Sequence, residues 1–402
     1  MTTEDGLHLA LVTAYPPSRG SLNEYGYHFA RALRAQPEVD ALSLIADRLV
    51  TPQAELPEAG EIRRVWGFND PLSALKIERA LRELKPDAVI FNLQFASFGD
   101  KRVPAALGLF APQLSHRVRP TVTLLHNLFE TVDLKDAGFV KGAFGERVTR
   151  LAGAAFTRVL LNSGRVALTM PRYCEILQNK YGAKNVFHAP HGSFEAPAAP
   201  QPLPSAPTVM AFGKFGTYKK VELLLEAHKR LLERDDTVRL VIAGSDSPNA
   251  PGYLAAMQSL YRELPNVTFT GYVAEEDVPK IFADATVAAF PYESTTGSSG
   301  VLHQAGQFGR AAVMPNIGDL ADLVVDEGFN AKFFTPGDVE SLMAALSSLL
   351  FNTEEAERMG RANHRAASVT LGEVSGRYLA AIRELQGWTS AARAPRRGAP
   401  IT

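Results

Sequence analysis

Two lysines five residues apart, Lys214 and Lys219, lie on a glycine-bearing turn, Gly213-Lys214-Phe215-Gly216-Thr217-Tyr218-Lys219-Lys220, between an apolar run and a helical pattern. Cations on a strand-to-helix loop stabilise a leaving diphosphate most as its charge grows, so they act on the transition state. Taken alone, Lys214, Lys219 and Lys220 fit a solvated loop as well as a phosphate site. A second stretch, Phe290-Pro291-Tyr292-Glu293-Ser294-Thr295-Thr296-Gly297-Ser298-Ser299-Gly300, also joins an apolar run to a helical pattern. Small residues at Gly297, Ser298, Ser299 and Gly300 let a ligand approach the backbone, whose N–H groups at a helix start favour an anion. The plainer reading is a turn and helix start without a ligand. In the first half, His126-Asn127 ends the apolar run 121–125. A histidine there can hydrogen-bond a hydroxyl without a full charge, although an isolated histidine is more often structural.

These residues need elements to hold them. The continuous apolar run 7–14, stopped by Tyr15-Pro16-Pro17, predicts a strand buried on both faces, followed by a helix over 24–35. Strands are predicted at 41–46, 88–93, 121–125, 158–162 and 186–190, with helices at 72–84 and 166–181. Glu195-Ala-Pro-Ala-Ala-Pro-Gln-Pro-Leu-Pro-Ser-Ala-Pro is dense in proline and suits a stiff extended linker rather than a packed element. A second series follows, with strands at 208–212, 238–243, 267–270, 287–290 and 311–314. Helices are predicted between them at 221–233, 253–263, 278–284 and 300–308, and beyond them at 339–350. Alternating strands and helices imply parallel sheets, and such sheets bind ligands beyond the carboxyl ends of their strands. The predicted organisation is therefore α/β, with domains at 1–194 and 208–372, a linker at 195–207 and a disordered tail at 389–402.

With 402 residues, two domains are the natural division. A formal net charge of −1 gives no general attraction to nucleic acid, which is excluded as a partner. The single cysteine, Cys174, has no partner for a disulfide and no Cys or His neighbours for zinc. No basic leader and no apolar stretch of membrane-spanning length is present, which fits a cytoplasmic protein.

Gly213 to Ala227 and Phe290 to Ala305 resemble, in order and position, signatures of family 4 of the retaining glycosyltransferases, the glycosyl transferases group 1 with the GT-B fold. The resemblance runs from Leu9 to about Trp388. It implies two Rossmann-like doubly wound domains facing a cleft, the first for the acceptor and the second for the nucleotide-sugar donor. A C-terminal helix over 373–388 is expected to cross back to the first domain. In that family a Gly-Arg pair ends a strand and a lysine follows five residues beyond the Arg. Here Gly213-Lys214 and Lys219 hold those places, with Lys214 keeping the charge but not the bidentate fork. Two glutamates eight positions apart contact sugar and ribose in the commonest pattern, whereas Thr296 and Gln304 stand in register here. The resemblance then leaves Gln304 to the ribose hydroxyls and Glu293 to the sugar. Gly20 and Ser21 match adjacent glycines that approach the donor, with Ser21 replacing the second. His126 matches a histidine near the transferred sugar, and Gly244 and Tyr272 fall at strand ends used around the base and phosphates. His191-Gly192 fits a hinge contact.

The implied reaction is retaining transfer of a hexosyl unit from a UDP- or GDP-sugar to a glycan, lipid-linked or small-molecule acceptor. The chain contains no Asp-X-Asp triplet. This agrees with a metal-independent mechanism in which Lys214, Lys219 and helix N-termini take the place of a divalent ion. The four departures at Ser21, Lys214, Thr296 and Gln304 leave open a catalytically weak or inactive nucleotide-sugar binding protein. Lys76, Arg79, Arg82 and Lys85, opposite Leu75, Leu81 and Leu84 on one helix, leave open peripheral contact with the inner membrane face.

Overall fold

A computed structural model describes residues 6–18, 20, 22–57, 60–131, 143–195, 199–247, 250–293 and 299–393, with side chains for all of these except 143–149, 275, 319 and 388–393. The chain forms two compact units, Met1–Pro190 with Leu371–Thr402, and His191–Thr370.

In the first unit β1 (Leu7–Thr13), α1 (Asn23–Arg34), β2 (Val39–Asp47), β3 (Ile62–Trp66), α2 (Ser73–Leu84) and β4 (Ala88–Leu93) are followed by α3 (Arg102–Gly108) and α4 (Ala111–His116). Then come β5 (Thr121–Leu125), α5 (Ala143–Leu161), β6 (Arg165–Leu168), α6 (Pro171–Tyr181) and β7 (Val186–His188). The strands form one parallel sheet in the order β3-β2-β1-β4-β5-β6-β7. Every residue of β4 and β5 is buried, because helices cover both faces of a parallel sheet and leave no polar side.

The second unit repeats the plan. It contains β8 (Thr208–Phe215), α7 (Glu222–Leu232), β9 (Arg239–Asp246), α8 (Tyr253–Leu260), β10 (Val267–Gly271), α9 (Val278–Ala283) and β11 (Val287–Ala289). After these come α10 (Gly300–Gln307), β12 (Ala311–Pro315), α11 (Gly318–Asp326), β13 (Lys332–Phe334), α12 (Val339–Leu350) and α13 (Thr353–Ala366). Its parallel sheet runs β10-β9-β8-β11-β12-β13. Val209, Ile242 and Val313 from the strands pack with Leu224, Leu225 and Leu346 from the helices. Burying each such side chain contributes roughly 1.5–3 kcal/mol.

The last helix, α14 (Leu371–Arg393), belongs to the first unit. Its Tyr378 ring lies 4.9 Å from Phe29 of α1, Gln36 donates to the Gly372 carbonyl at 2.9 Å, and Arg377 donates to the His188 carbonyl at 3.1 Å. The predicted return of a C-terminal helix is thus observed. It extends beyond the expected tail boundary at 389, and residues 394–402 lie outside the described ones.

One expectation is corrected. Residues 158–161, read as a strand, close the long helix α5, and the strand follows at β6, which overlaps the start of the segment 166–181 expected to be helical. The described part of the proline-rich stretch, 199–207, carries no helix or strand and no buried residue, and one buried side chain holds part of it. Arg310, fully buried, donates to the carbonyls of Gln201, Pro202 and Ala285, and a side chain at Gly309 would collide with Pro200 at 2.5 Å. On α2, the helix suggested for membrane contact, three of the four named cations have acidic partners. Lys76 pairs with Asp70, Arg79 with Glu83 and Arg82 with Glu78, and Leu81 is core rather than surface. Among the described residues no helix is long and apolar enough to cross a membrane.

Two glycines set the close approach of β8 and β9. Gly213 and Gly244 face each other in register with φ of 135° and 140°, and a Cβ on Gly244 would lie 1.9 Å from the Gly213 carbonyl oxygen. That atom is backbone and has nowhere to go. Gly244→Ala is expected to destabilise the second unit by about 2–3 kcal/mol, read as a lowered denaturation midpoint. A wild-type midpoint would contradict this packing.

Candidate active site

In the second sheet β8 and β11 are neighbours, and the chain winds away from them in opposite directions, to β9 and β10 on one side and to β12 and β13 on the other. Ligands of doubly wound sheets bind at such a switch point, beyond the carboxyl ends of the strands. The loops after β8 and β11 are the two segments singled out by the sequence, and they are joined to each other. Lys219 and Tyr292 form an antiparallel bridge. Lys220 N–H donates to the Pro291 carbonyl at 3.1 Å, and Glu293 N–H donates to the Tyr218 carbonyl at 2.8 Å.

This pairing places Lys219. Its Nζ lies 4.7 Å from the centre of the Tyr292 ring and 5.9 Å from that of Tyr218. It also hangs over Gly213, where a Cβ would come within 2.9 Å of it. Gly213 therefore leaves open the space that Nζ occupies. Gly216, with φ of 102°, turns the loop against Ala250 and Tyr253 where no side chain fits. Lys214 is exposed at the strand end, in register with Ser245.

The remaining donor-side residues divide. Ser299 caps α10, its hydroxyl accepting from Leu302 N–H, and Gly300 is the first helical residue, 3.3 Å from His191 Nε2 at its Cβ position. Gln304 is buried on the same helix. Gly244 lies beside Gly213, and its N–H donates to Thr270 Oγ1 at 3.2 Å. Tyr272 is 81% exposed, on the turn after β10. Asp246, from the Gly-Ser-Asp strand end, accepts from the N–H groups of Gly252 and Leu254 and so caps α8. Thr296, Gly297 and Ser298 lie outside the described residues. Glu293 is not brought to Lys219; its carboxylate pairs with Lys220 at 2.8 Å, with a side chain 61% exposed. The hydrogen bond that Lys220 donates to the Glu293 carboxylate holds its ammonium above the usual lysine range.

In the first unit the switch point falls between β1 and β4. His126 follows β5 and is buried, with its ring edge-on to Tyr25 at 4.6 Å. A buried relay fixes its tautomer. Thr13 Oγ1 donates to the Ala14 carbonyl, Asn92 Nδ2 donates to Thr13 Oγ1, and so Asn92 presents its oxygen to His126 Nε2 at 2.7 Å. An amide oxygen only accepts, so Nε2 carries the proton. Burial pushes the titration of His126 down to about 3, and the ring is neutral across the physiological range.

Gly20 belongs to a loop gripped from below. Asp47 accepts from Tyr15 N–H at 3.1 Å and from the Ser18 hydroxyl, which in turn accepts from Gly20 N–H at 3.1 Å. Arg64 donates to the carbonyls of Tyr15, Pro16 and Asp47. Ser21 lies outside the described residues. Sequence reasoning missed Asp47 and Arg64, which sit inside strands, and Tyr292, whose part depends on its partner loop. It also passed over His303 and Glu327, a buried pair 2.6 Å apart behind Ser299. The one local signal was a polar residue, His303, at a core-facing helical position.

Residues 206–352 match the family described as Glycosyl transferases group 1. The chain is 30% identical over 161 residues to sulfoquinovosyl transferase SQD2 of Arabidopsis thaliana, covering 40% of this chain and 29% of that protein. The match thus spans less than a third of that relative's length. Among solved structures, sucrose-phosphate synthase from Thermosynechococcus elongatus superposes with a TM-score of 0.71 at 16% identity, covering 95% of this chain and 100% of that one. HepE from Anabaena, solved in complex with UDP-glucose, gives 0.65 at 16% identity, again with 95% and 100% covered. The chain therefore has the two-domain GT-B fold, and its second unit carries the match to the group 1 glycosyltransferases.

Proposed function

We propose that the chain is a retaining glycosyltransferase that moves a hexosyl unit from a UDP- or GDP-sugar to a glycan, lipid-linked or small-molecule acceptor. One observation carries this reading: the Lys219 ammonium is held over Gly213 at the switch point of the second sheet, between two loops paired by their backbones. The family match over residues 206–352 and the UDP-glucose bound by HepE support the same substrate class.

In this reading the bond between the anomeric carbon and the diphosphate oxygen breaks first, and Lys219 and Lys214 meet the charge that develops on the leaving group. The acceptor hydroxyl attacks from the same face, and its proton passes to the departing diphosphate. These two cations supply the countercharge that a divalent ion gives elsewhere, so no metal is required. His126 protonates only near 3 and is a poor general base at neutral pH, which assigns it to a hydrogen bond with a substrate hydroxyl. Glu293 already pairs with Lys220, and its part is to keep that second lysine occupied.

A second reading, a nucleotide-sugar binding protein without turnover, is favoured by that same engagement of Glu293 and by the neutral Thr296 and Gln304. Calorimetry beside a donor-consumption assay over an acceptor panel separates the two, since this alternative binds the donor and consumes none.

Lys219→Ala is expected to lower turnover by at least about 100-fold, the usual cost of losing a transition-state donor, with the melting temperature close to wild type. Transfer at the normal rate would remove the diphosphate role. Glu293→Gln is expected to change turnover far less, by about fivefold at most, since only an exposed ion pair is lost. Turnover in excess EDTA is expected to match that with added magnesium; dependence on the metal would contradict the role of the lysines.

A further inference from the structure

His303 sits in the first turn of α10, one residue before Gln304, with both ring nitrogens bound to acceptors. Nδ1 lies 3.0 Å from the Ser299 carbonyl oxygen and Nε2 lies 2.6 Å from Glu327 Oε2. A carbonyl and a carboxylate only accept, so each nitrogen must carry a proton, and a ring with two N–H groups is an imidazolium. Beside an ionised Glu327, a neutral ring would set a lone pair against one of these two oxygens in a buried site. The charge is sheltered, with the side chains of His303 and Glu327 exposed by only 5% and 9%.

The surroundings agree. His191 stacks on the ring at 4.8 Å and donates from Nδ1 to the Gly192 carbonyl, and Phe329 meets it edge-on at 5.2 Å. Among the described residues Glu327 is the charged group acting on the ring, and α13, which also packs on α10, adds none. Burial lowers the titration of His303, but the Glu327 carboxylate, with the Ser299 carbonyl, more than reverses this and raises it above the ordinary histidine value. An imidazolium is disfavoured by a helix N-terminus, so Glu327, which follows α11, is needed as counter-ion.

We propose that His303 is a positioning residue of the donor site, a buried imidazolium that ties the Ser299 carbonyl, and with it the start of α10, to Glu327. This rests on the glycosyltransferase reading above, in which the segment ending at Ser299 receives the donor. Ser299 is where that segment enters the helix, and its carbonyl takes the N–H groups of Leu302 and His303 as well as Nδ1–H. Because the folded titration is raised, the tie is complete below the ordinary histidine value and is lost as pH rises through the raised one.

The test uses the full chain with UDP and GDP as probes. Calorimetry from about pH 6 to about pH 9 is expected to show affinity for the preferred diphosphate falling about tenfold as His303 loses its proton, the cost of a charged hydrogen bond. Glu327→Gln is expected to move that fall to lower pH, and His303→Gln to bind weakly without the pH step. Nitrogen-15 spectra of ring-labelled wild type give a reading free of folding defects, with both ring nitrogens of His303 protonated at neutral pH. A single protonated nitrogen, or variants that bind as wild type across the range, would overturn the positioning role while leaving the glycosyltransferase reading intact. Failure of wild type to bind either diphosphate would remove the reading itself, and the inference with it.

Discussion

The backbone pairing between residues 218–220 and 291–293 is the constraint on which the second unit's site depends. The loops after β8 and β11 leave adjacent strands, and their backbones meet at one short bridge. Two hydrogen bonds, from Lys220 to Pro291 and from Glu293 to Tyr218, hold them at one spacing. Each is worth only about 1 kcal/mol net, so the pairing matters for geometry rather than stability. Gly213, Gly216 and Gly244 are the conditions for it. The first leaves room for Nζ, the second turns the loop at a positive φ, and the third lets β9 lie close enough to support the strand end.

The same pairing sorts two neighbouring lysines into different electrostatic states. Lys220 and Glu293 are brought to opposite sides of one bridge and neutralise each other. Lys219, one residue earlier, points the other way, onto the faces of Tyr292 and Tyr218. An aromatic face attracts an ammonium without cancelling its charge, whereas a carboxylate cancels it. Among the described residues Lys219 makes no ion pair, so no carboxylate neutralises its charge. A loop with three lysines thus presents a directed charge instead of a diffuse one.

Where information was local, the sequence showed it. The apolar runs that became β1, β4, β5 and β12 are buried on both faces and carry no competing signal. The stretch 158–162 misled because a few apolar residues at the end of α5 cannot be told from a short strand by periodicity. Strand β3 was hidden by Arg63 and Arg64, whose partners Glu83, Glu55 and Asp47 lie on other segments. What holds the linker was hidden for the same reason. Its prolines are visible, but the buried Arg310 that collects its carbonyls lies about 108 residues away. In the site, Gly213 and Lys219 were legible because seven consecutive residues of one loop contain both. Their aromatic cradle, the Arg64 and Asp47 grip on the first loop, and the bond from His303 to Glu327 join separate segments, and no spacing rule reports them.

The two buried histidines show how one physical rule gives opposite results in the two units. Burial disfavours the charged ring at both. At His126 the partner of Nε2 is an amide oxygen fixed by Thr13, which accepts a proton's hydrogen bond but adds no countercharge, so the ring stays neutral. At His303 the partner is a carboxylate, and the ring is charged. The choice between Asn92 and Glu327 as partner therefore decides the character of each place. A neutral donor and acceptor suits sugar hydroxyls, and a charged pair behind a helix start suits the segment assigned to a diphosphate. Electrostatics, set by residues that need never touch a substrate, thus separates the roles of two units built on one plan.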